Sequence, residues 1–255
     1  MDQYSLVDLL CNESFNIPDI GAIRCPTLRD IRKITYKMFV FYTGILNSST
    51  DDIIKQFKLD EILKGLDENE RSKINAFHLL LIINRQILFD ILNLFLIDQW
   101  KFYEEKLEFE VYRETDGDKE IIGHINAGNF DYFRGCVLYI LGMKQSADVT
   151  PKYKNKLAQK LYERMQKSKN AKKKSNKDSV YTLDNMILKY CTHNKVGINI
   201  LNVWDMTYYQ FIKMFDEYSY GRTCDYHDQM AAHSFSYQKV SDYKPLDYMK
   251  KINQQ

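Results

Sequence analysis

The amino-acid sequence predicts a mainly α-helical protein with one inserted β-hairpin, and three observations support this fold class. Glycine (10) and proline (4) are scarce among the 255 residues, which disfavours β-sandwiches and loop-rich scaffolds. Apolar residues recur with helical spacing over several long stretches. One stretch, at about residues 106–125, instead alternates between apolar and polar residues around a turn signal.

The N-terminal part begins with residues 1–26, which show no sustained period and predict an irregular lead-in. Thr27 is a predicted helix N-cap with Asp30 at the third helical position, and the periodic pattern continues to about Leu46. The polar run 47–50 breaks this helix and provides the cap of a second helix or helix pair, which ends near Gly65.

A third and longest helix is predicted from about Glu68 to Ile97. Its second half is apolar nearly all round, as in a helix with neighbours on several sides. Ionised Arg85 and Asp90 near the middle of the most hydrophobic stretch would each cost about 2.5–3.5 kcal/mol in lipid. The stretch therefore predicts a buried core helix and no membrane partner, and the N-terminus shows no signal-peptide pattern.

The predicted hairpin begins at Lys106, where Leu107, Phe109 and Val111 fall on one face. Asp116-Gly117 is a hairpin turn signal, and residues 119–125 form the return strand. A lone hairpin is marginally stable, so its apolar face is expected to pack on helices or to join another chain. A further helix then starts at Asn126 or Asn129 and ends at Gly142.

A basic segment divides the chain. From Lys152 to Lys177 there are 11 basic residues and one acid, which predicts a basic helix followed by a flexible linker. The predicted organisation is an N-terminal helical domain with the hairpin (1–146), the basic helix and linker (147–178) and a C-terminal helical region (179–255). A candidate basic patch for phosphates consists of Lys167, Lys169, Lys172, Lys173 and Lys174, although a solvated linker is the favoured interpretation.

The C-terminal region contains the best-specified helix start. Ser179 or Thr182 caps a preceding helix, and Thr207 and Gln210 then have the spacing of a capping box. Met206 and Phe211 have the spacing of a hydrophobic staple. Residues 221–235 are predicted to form one more helix.

Aromatic side chains near this helix start are the candidate partner-binding residues. Tyr208, Phe211 and Phe215 recur at helical spacing and are expected to be core, whereas Tyr209 and Tyr220 fall off this stripe and are expected to be exposed. The candidate set is Trp204, Tyr208, Tyr209, Phe211, Phe215 and Tyr220.

No pattern in the sequence indicates catalysis. There is no phosphate-binding glycine loop, no nucleophile elbow and no metalloprotease helix, so an enzyme is not predicted. Cys191-x-His193 and Cys224-x-x-His227 offer four potential zinc ligands, but the first spacing is too short to be typical, and no metal or cofactor is predicted. The five scattered cysteines indicate a reducing, cytoplasmic context.

Three stretches resemble a known family: IPDIGAIRCPTLRDI near the N-terminus, INAGNFDYFRGCVLYIL in the middle, and VYTLDNMILKYC followed by INILNVWDMTYYQFIKMFDEY near the C-terminus. They are similar to tail-assembly-chaperone-like proteins of tailed bacteriophages and prophages of Gram-positive hosts. The most specific part is the stretch containing Trp204, Asp205, Met206, Thr207 and Gln210. These motifs are structural and include no catalytic residue.

This resemblance implies a non-enzymatic tail assembly factor in the host cytoplasm that binds the helical tape-measure protein during virion morphogenesis, or other tail proteins, with self-association possible. Two alternatives stay open. The chain could be a structural tail or baseplate adaptor whose hairpin adds to a neighbour's sheet. It could also be a nucleic-acid-binding accessory protein that uses residues 152–177, although nucleic acid is the less favoured partner.

Overall fold

The structure is a computed structural model that describes residues 5–65, 67, 73–115, 117–143, 182–233 and 242–247. The N-terminal part contains a short helix and a two-stranded hairpin, and five helices follow: α1 (Leu6–Leu10), β1 (Phe15–Ile17), β2 (Gly21–Ile23), α2 (Leu28–Ile34), α3 (Tyr36–Leu46), α4 (Thr50–Phe57), α5 (Asp60–Leu63) and α6 (Ala76–Phe95). A second sheet, three helices and a short 3-10 helix follow: β3 (Gln99–Tyr103), β4 (Glu108–Thr115), β5 (Asp118–Ile125), α7 (Phe130–Ile140), α8 (Leu183–His193), the 3-10 helix (Val203–Asp205) and α9 (Tyr208–Ala232).

The predicted fold class, mainly α with a single inserted hairpin, is wrong. Within the described residues the fold is mixed α/β, dominated by helices but with two small antiparallel sheets. The strands that the sequence did not reveal are short: β1 and β2 have three residues each and β3 has five. Such strands contain too few residues for alternation to stand out from a helical or irregular pattern.

The second sheet has the order β3-β4-β5 and contains the predicted hairpin as β4 and β5. In the register of this sheet Phe109 lies opposite Phe102 on one side and Ile125 on the other. The Phe109 ring is fully buried and its centroid lies 4.8 Å from that of Phe102 and 5.4 Å from that of Trp100. As expected for a marginal hairpin, its apolar face packs on a helix, because Phe77 of α6 meets Phe109 edge to face at 6.1 Å.

The hairpin β1–β2 shows that the predicted irregular lead-in is wrong. Its strand β2 and its turn hydrogen-bond to neighbouring segments, since Ile97 N donates to Ala22 O of β2 at 2.8 Å and His124 N donates to Asp19 O of the turn at 2.9 Å. Gly123 of β5 allows the second contact, because a Cβ at this position would lie 2.3 Å from the Asp19 carbonyl.

Asp98 ties this hairpin to the larger sheet. Its carboxylate is buried and accepts hydrogen bonds from Ala22 N at 2.7 Å and from the Arg113 guanidinium at 2.7 Å. One side chain therefore links β2, the chain segment before β3, and β4. The half-exposed Arg113 keeps its access to water, so the pair avoids the full cost of burying two charges.

The helix predicted from 27 to 46 is two helices. Thr27 caps α2 as predicted, but Thr35 adopts φ 72° and ends it. Thr35 is also the N-cap of α3, so α3 begins directly after α2 with no loop between the two helices. Ser49 caps α4, inside the polar run that was predicted to supply this cap.

The central helix α6 is shorter than the predicted span 68–97, of which residues 68–72 lie outside the described part of the chain. It is interrupted at Asn84, whose backbone is extended (φ −170°, ψ 107°). By length and composition alone it could cross a membrane. Many of its apolar side chains, such as Phe77 and Leu92, are fully buried in the core, and the Asp90 carboxylate accepts a hydrogen bond from Tyr42 Oη at 2.7 Å.

Helix α7 carries a buried arginine. Arg134 is 4% exposed, and its Nε and Nη2 atoms donate to the carbonyls of Leu46 at 2.9 Å and Ser48 at 2.6 Å. Its Nη1 donates to Asp131 Oδ1 at 2.9 Å. The guanidinium thus binds free carbonyls at the C-terminal end of α3, where a helix leaves its last acceptors unsatisfied.

The described residues of the N-terminal and C-terminal parts share one apolar cluster. Leu183, Tyr190 and Phe211 belong to the same set of contacting buried side chains as Phe39 and Phe133. The predicted linker at 147–178 lies outside the described residues, and the three-part division stays a prediction.

Candidate functional site

The capping box at the start of α9 is confirmed. The Thr207 hydroxyl accepts from Gln210 N at 3.1 Å, and Gln210 Oε1 accepts from Thr207 N at 2.8 Å. Gln210 Nε2 also donates to Leu10 O at 2.7 Å, which fixes the end of α1 against this helix start. The cap therefore orients α9 and joins it to the N-terminal part of the chain.

The starts of α2 and α9 bind each other. Leu28 N donates to Met206 O and Tyr208 N donates to Pro26 O, both at 2.9 Å. This antiparallel bridge pairs the two N-cap residues, Thr27 and Thr207. Each helix thus satisfies one of its first free N–H groups with a carbonyl preceding the other helix. We call this arrangement the paired helix start.

Two charged contacts reinforce the paired helix start. Arg29 Nη2 of α2 contacts Asp205 Oδ1 at 2.7 Å, and Arg32 lies 5.8 Å from the centre of the Trp204 ring. Trp204 Nε1 donates to Ile200 O at 2.8 Å. Trp204 is half-buried and its indole N–H is satisfied, so it packs over the helix start as a structural cover.

Cys25 lies behind the paired helix start and is 5% exposed. Burial raises the pKa of its thiol to about 11, although hydrogen bonds from Tyr209 N, the Thr207 hydroxyl and Tyr208 N oppose the shift. Since the thiolate is the reactive form, Cys25 is protected both by burial and by its protonation state at neutral pH.

Thiol labelling tests this protection. At pH 7.5 the native protein is expected to react rapidly with a charged disulfide reagent at the exposed Cys11, while Cys25 reacts only after denaturant is added. Peptide mapping of the labelled protein identifies the sites. Fast native labelling at Cys25 would show that the paired helix start opens readily; Cys11→Ser supplies the background control.

The predicted aromatic residues have different positions. Phe211 and Phe215 are core residues, as expected from their spacing. Tyr209 is 4% exposed, so the expectation that it would be exposed is wrong; it packs near Gly142, where a Cβ would lie 2.7 Å from its ring. Burial raises the pKa of the half-buried Tyr208 hydroxyl, and the neighbouring Tyr36 hydroxyl raises this pKa further. The half-buried Tyr220 donates its hydroxyl to Asp247 O at 2.7 Å.

The Thr207→Ala substitution is expected to lower the free energy of unfolding by about 1 kcal/mol, because it removes the N-cap acceptor of α9. Chemical denaturation with far-UV circular dichroism measures the change. Ser219→Ala within the same helix serves as a control without an N-cap role. Loss of partner binding at an unchanged melting temperature would instead make Thr207 an interface residue.

A groove of about 570 Å³ runs between the end of α8 and the outer face of α9. The α9 side contributes residues at helical spacing, and the opposite side is formed by the last turn of α8 and the loop after it. The lining residues are Tyr190, His193, Asn194, Lys195, Val196, Met214, Glu217, Tyr218, Gly221, Arg222, Asp225, Tyr226 and Gln229. We call this feature the α8–α9 groove; it was not predicted, because it depends on how two helices pack.

Exposed apolar side chains line or flank the α8–α9 groove. Tyr226 is 65% exposed, Val196 is 62% exposed and Met214 is 37% exposed. Exposed aromatic and apolar groups close to a concave surface are typical of partner-binding sites.

A second depression lies near Asp98 and Asn93, but these polar side chains already bind other residues of the protein. The Asp98 carboxylate accepts hydrogen bonds from Ala22 N and Arg113, and Asn93 Oδ1 accepts one from Trp100 Nε1 at 3.1 Å.

Helix α9 is longer than predicted. The proposed separate helix at 221–235 is continuous with the preceding one, and α9 extends to Ala232. The face of α9 away from the groove contacts residues 242–247, where the Tyr243 ring lies 5.3 Å from that of His227 and its hydroxyl binds Asp228. This contact leaves the groove face uncovered by the described part of the chain.

Two further candidate sites are the basic patch and a metal site. The basic patch, Lys167, Lys169, Lys172, Lys173 and Lys174, lies outside the described residues. Across the described ranges, no group of three or more His, Cys, Asp or Glu side chains is arranged to hold a metal ion.

Comparison with known protein families finds similarity in the C-terminal part of the chain. Residues 171–253 match the model of a family described as YomV second domain, which is phage-derived and comes from Bacillus prophages. The matched range is less than half of the chain and contains α8, α9 and the groove between them. No curated protein and no solved structure matches the chain. The C-terminal part of the chain is therefore similar to a phage-associated domain family.

Proposed function

We propose that this chain is a non-enzymatic phage tail assembly factor that binds helical segments of the tape-measure protein in the host cytoplasm before tail-tube subunits enclose them. One observation carries the proposal: the α8–α9 groove lies inside the phage-associated segment 171–253. Grooves with apolar linings bind amphipathic helices in many complexes. The sequence has no nucleotide-binding motif, so this protection would act by mass action.

Co-expression with the tape-measure protein encoded in the same prophage tests the proposal. An affinity tag on the assembly factor is expected to retrieve the tape-measure protein, and the complex is expected to persist through size-exclusion chromatography. Purified virions are expected to lack the chain, as measured by quantitative mass spectrometry. No complex between two soluble proteins would overturn the proposal.

A structural role in the tail or baseplate is the second candidate, and the edge of the larger sheet favours it. In the described part of the chain, β3 has a strand neighbour on one side only, so its other edge could pair with a strand of another subunit. Lys101 in the middle of β3 opposes such pairing, since lysine on an edge strand commonly blocks it. A fixed copy number in purified virions would support this role and exclude the first one.

A further inference from the structure

We propose that the α8–α9 groove binds one amphipathic helix of the partner, about four turns long, with basic residues on one flank and acidic residues on the other. This inference rests on the proposed function and deepens it by locating the binding site. It also specifies the charge pattern of the segment that binds. Three features of the groove support it: its length, the signs of its charges and a buried hydroxyl without a partner.

The length of the groove fits a helix. Its α9 side runs from Met214 to Gln229, which corresponds to about 22 Å along the helix axis at 1.5 Å per residue. Tyr218 and Tyr226, spaced two turns apart on this side, provide aromatic contacts for apolar residues of the bound segment. A compact small molecule would leave most of this length unoccupied.

The two sides of the groove differ in the sign of their net charge. The α9 side presents two acids, Glu217 and Asp225, with Arg222 between them, whereas the opposite side presents Lys195 and His193. Glu217, Arg222, Asp225 and Lys195 are exposed, and none of these four forms an ion pair with another described residue. A helix with basic residues toward α9 and acidic residues toward Lys195 would match this distribution.

Tyr190 supplies an unsatisfied polar group beside the groove. It is 1% exposed, and its hydroxyl has no hydrogen-bond partner among the described residues. Burying a hydroxyl without a partner is unfavourable, so binding that turned the Tyr190 hydroxyl toward a polar group of the bound segment would be favoured. A purely apolar surface would offer no such gain.

The same charges disfavour a second copy of this chain as the occupant. Glu217 and Asp225 lie symmetrically about Gly221, four residues to each side. Two α9 helices packed antiparallel around a two-fold axis at Gly221 would therefore place Glu217 of one copy beside Asp225 of the other. Like charges in these positions oppose self-association. A helix from a different protein is not bound by this symmetry and can place basic residues opposite Glu217 and Asp225.

The test uses the full chain and overlapping helical fragments of the tape-measure protein, with affinity measured by fluorescence anisotropy. Tyr226→Ala and the pair Glu217→Lys with Asp225→Lys are each expected to weaken binding at least tenfold. Matched controls are Tyr132→Ala, an exposed tyrosine on α7, and Glu105→Lys with Glu114→Lys, two exposed acids near the larger sheet. The controls are expected to change affinity less than twofold, and circular dichroism confirms that each variant is folded.

The outcomes separate the two proposals. Loss of binding in the groove variants, with the controls unchanged, supports the groove as the site. Undiminished binding in folded groove variants overturns this inference while the proposed function stands. If the wild-type chain binds no fragment and no full-length tape-measure protein, both proposals fall. A groove variant that abolishes a dimer seen by light scattering, without weakening fragment binding, would assign the groove to self-association and overturn the inference.

Discussion

Replacing Phe109 with alanine is expected to lower the free energy of unfolding by about 3–5 kcal/mol. The ring is fully buried and makes aromatic contacts with Phe77 at 6.1 Å and Phe89 at 5.8 Å in α6, and with Trp100 and Phe102 in β3. Its removal would leave a cavity where a three-stranded sheet meets the central helix. The total stability of a domain is typically about 5–15 kcal/mol, so much of it would be lost.

Urea denaturation followed by tryptophan fluorescence measures this loss, since Trp100 lies beside the site. Tyr112→Ala is a suitable control: the same strand carries it, but its ring is only half-buried and lies under Lys119 Nζ at 4.1 Å. The control is expected to lose about 1 kcal/mol or less. Equal losses in the two variants would show that Phe109 is not central to the packing.

Replacing Arg134 with methionine is expected to cost about 3 kcal/mol of unfolding free energy, because the Leu46 and Ser48 carbonyls would lose charged donors in a buried site. Methionine keeps much of the volume and flexibility of the side chain, so the loss reports mainly on hydrogen bonds. Thermal unfolding by calorimetry is the measurement.

The variant Asp131→Ala distinguishes the two kinds of contact that Arg134 makes. Asp131 is largely exposed, with 60% of its side chain accessible, and its ion pair with Arg134 should contribute about 1 kcal/mol or less. Equally large losses in Asp131→Ala and Arg134→Met would mean that the ion pair, and not carbonyl binding, stabilises the end of α3.

Features that depend on neighbours in sequence could be predicted. Thr207 and Gln210 are three residues apart and their capping geometry is local, as is the cap formed by Thr27 and Asp30. The β4–β5 hairpin and the end of α7 at Gly142 are local in the same sense. A short window of sequence contains all the atoms that determine these elements.

Features that depend on distant partners could not be predicted. Asp98 binds Ala22, 76 residues away, and Arg134 binds Leu46, 88 residues away. In the sequence, Arg134 is one arginine within an apolar helical pattern. The positive φ of Thr35 is equally hidden, because threonine rarely adopts it and only packing on both sides enforces it.

The candidate site was predicted only in part. Sequence spacing identified the aromatic face of α9 but placed Tyr209 outside the core, because the helical stripe alone does not show that α7 ends against that ring. Nothing in the sequence identified Lys195 and Tyr226 as groove residues, since exposed polar and aromatic residues are common on protein surfaces. The heptad-like recurrence of Met214, Tyr218 and Asp225 was the available clue.

The paired helix start also has a consequence for the order of folding. Arg29 and Asp205, which flank it, are 176 residues apart in the chain, so this contact requires closure of a very long loop. Closing such a loop costs chain entropy before any contact offsets it, and contacts of this kind slow folding. Helices α2 and α9 are therefore expected to form first as separate, locally capped segments and to dock late. A refolding experiment would show the Cys25 thiol becoming protected in the slowest phase.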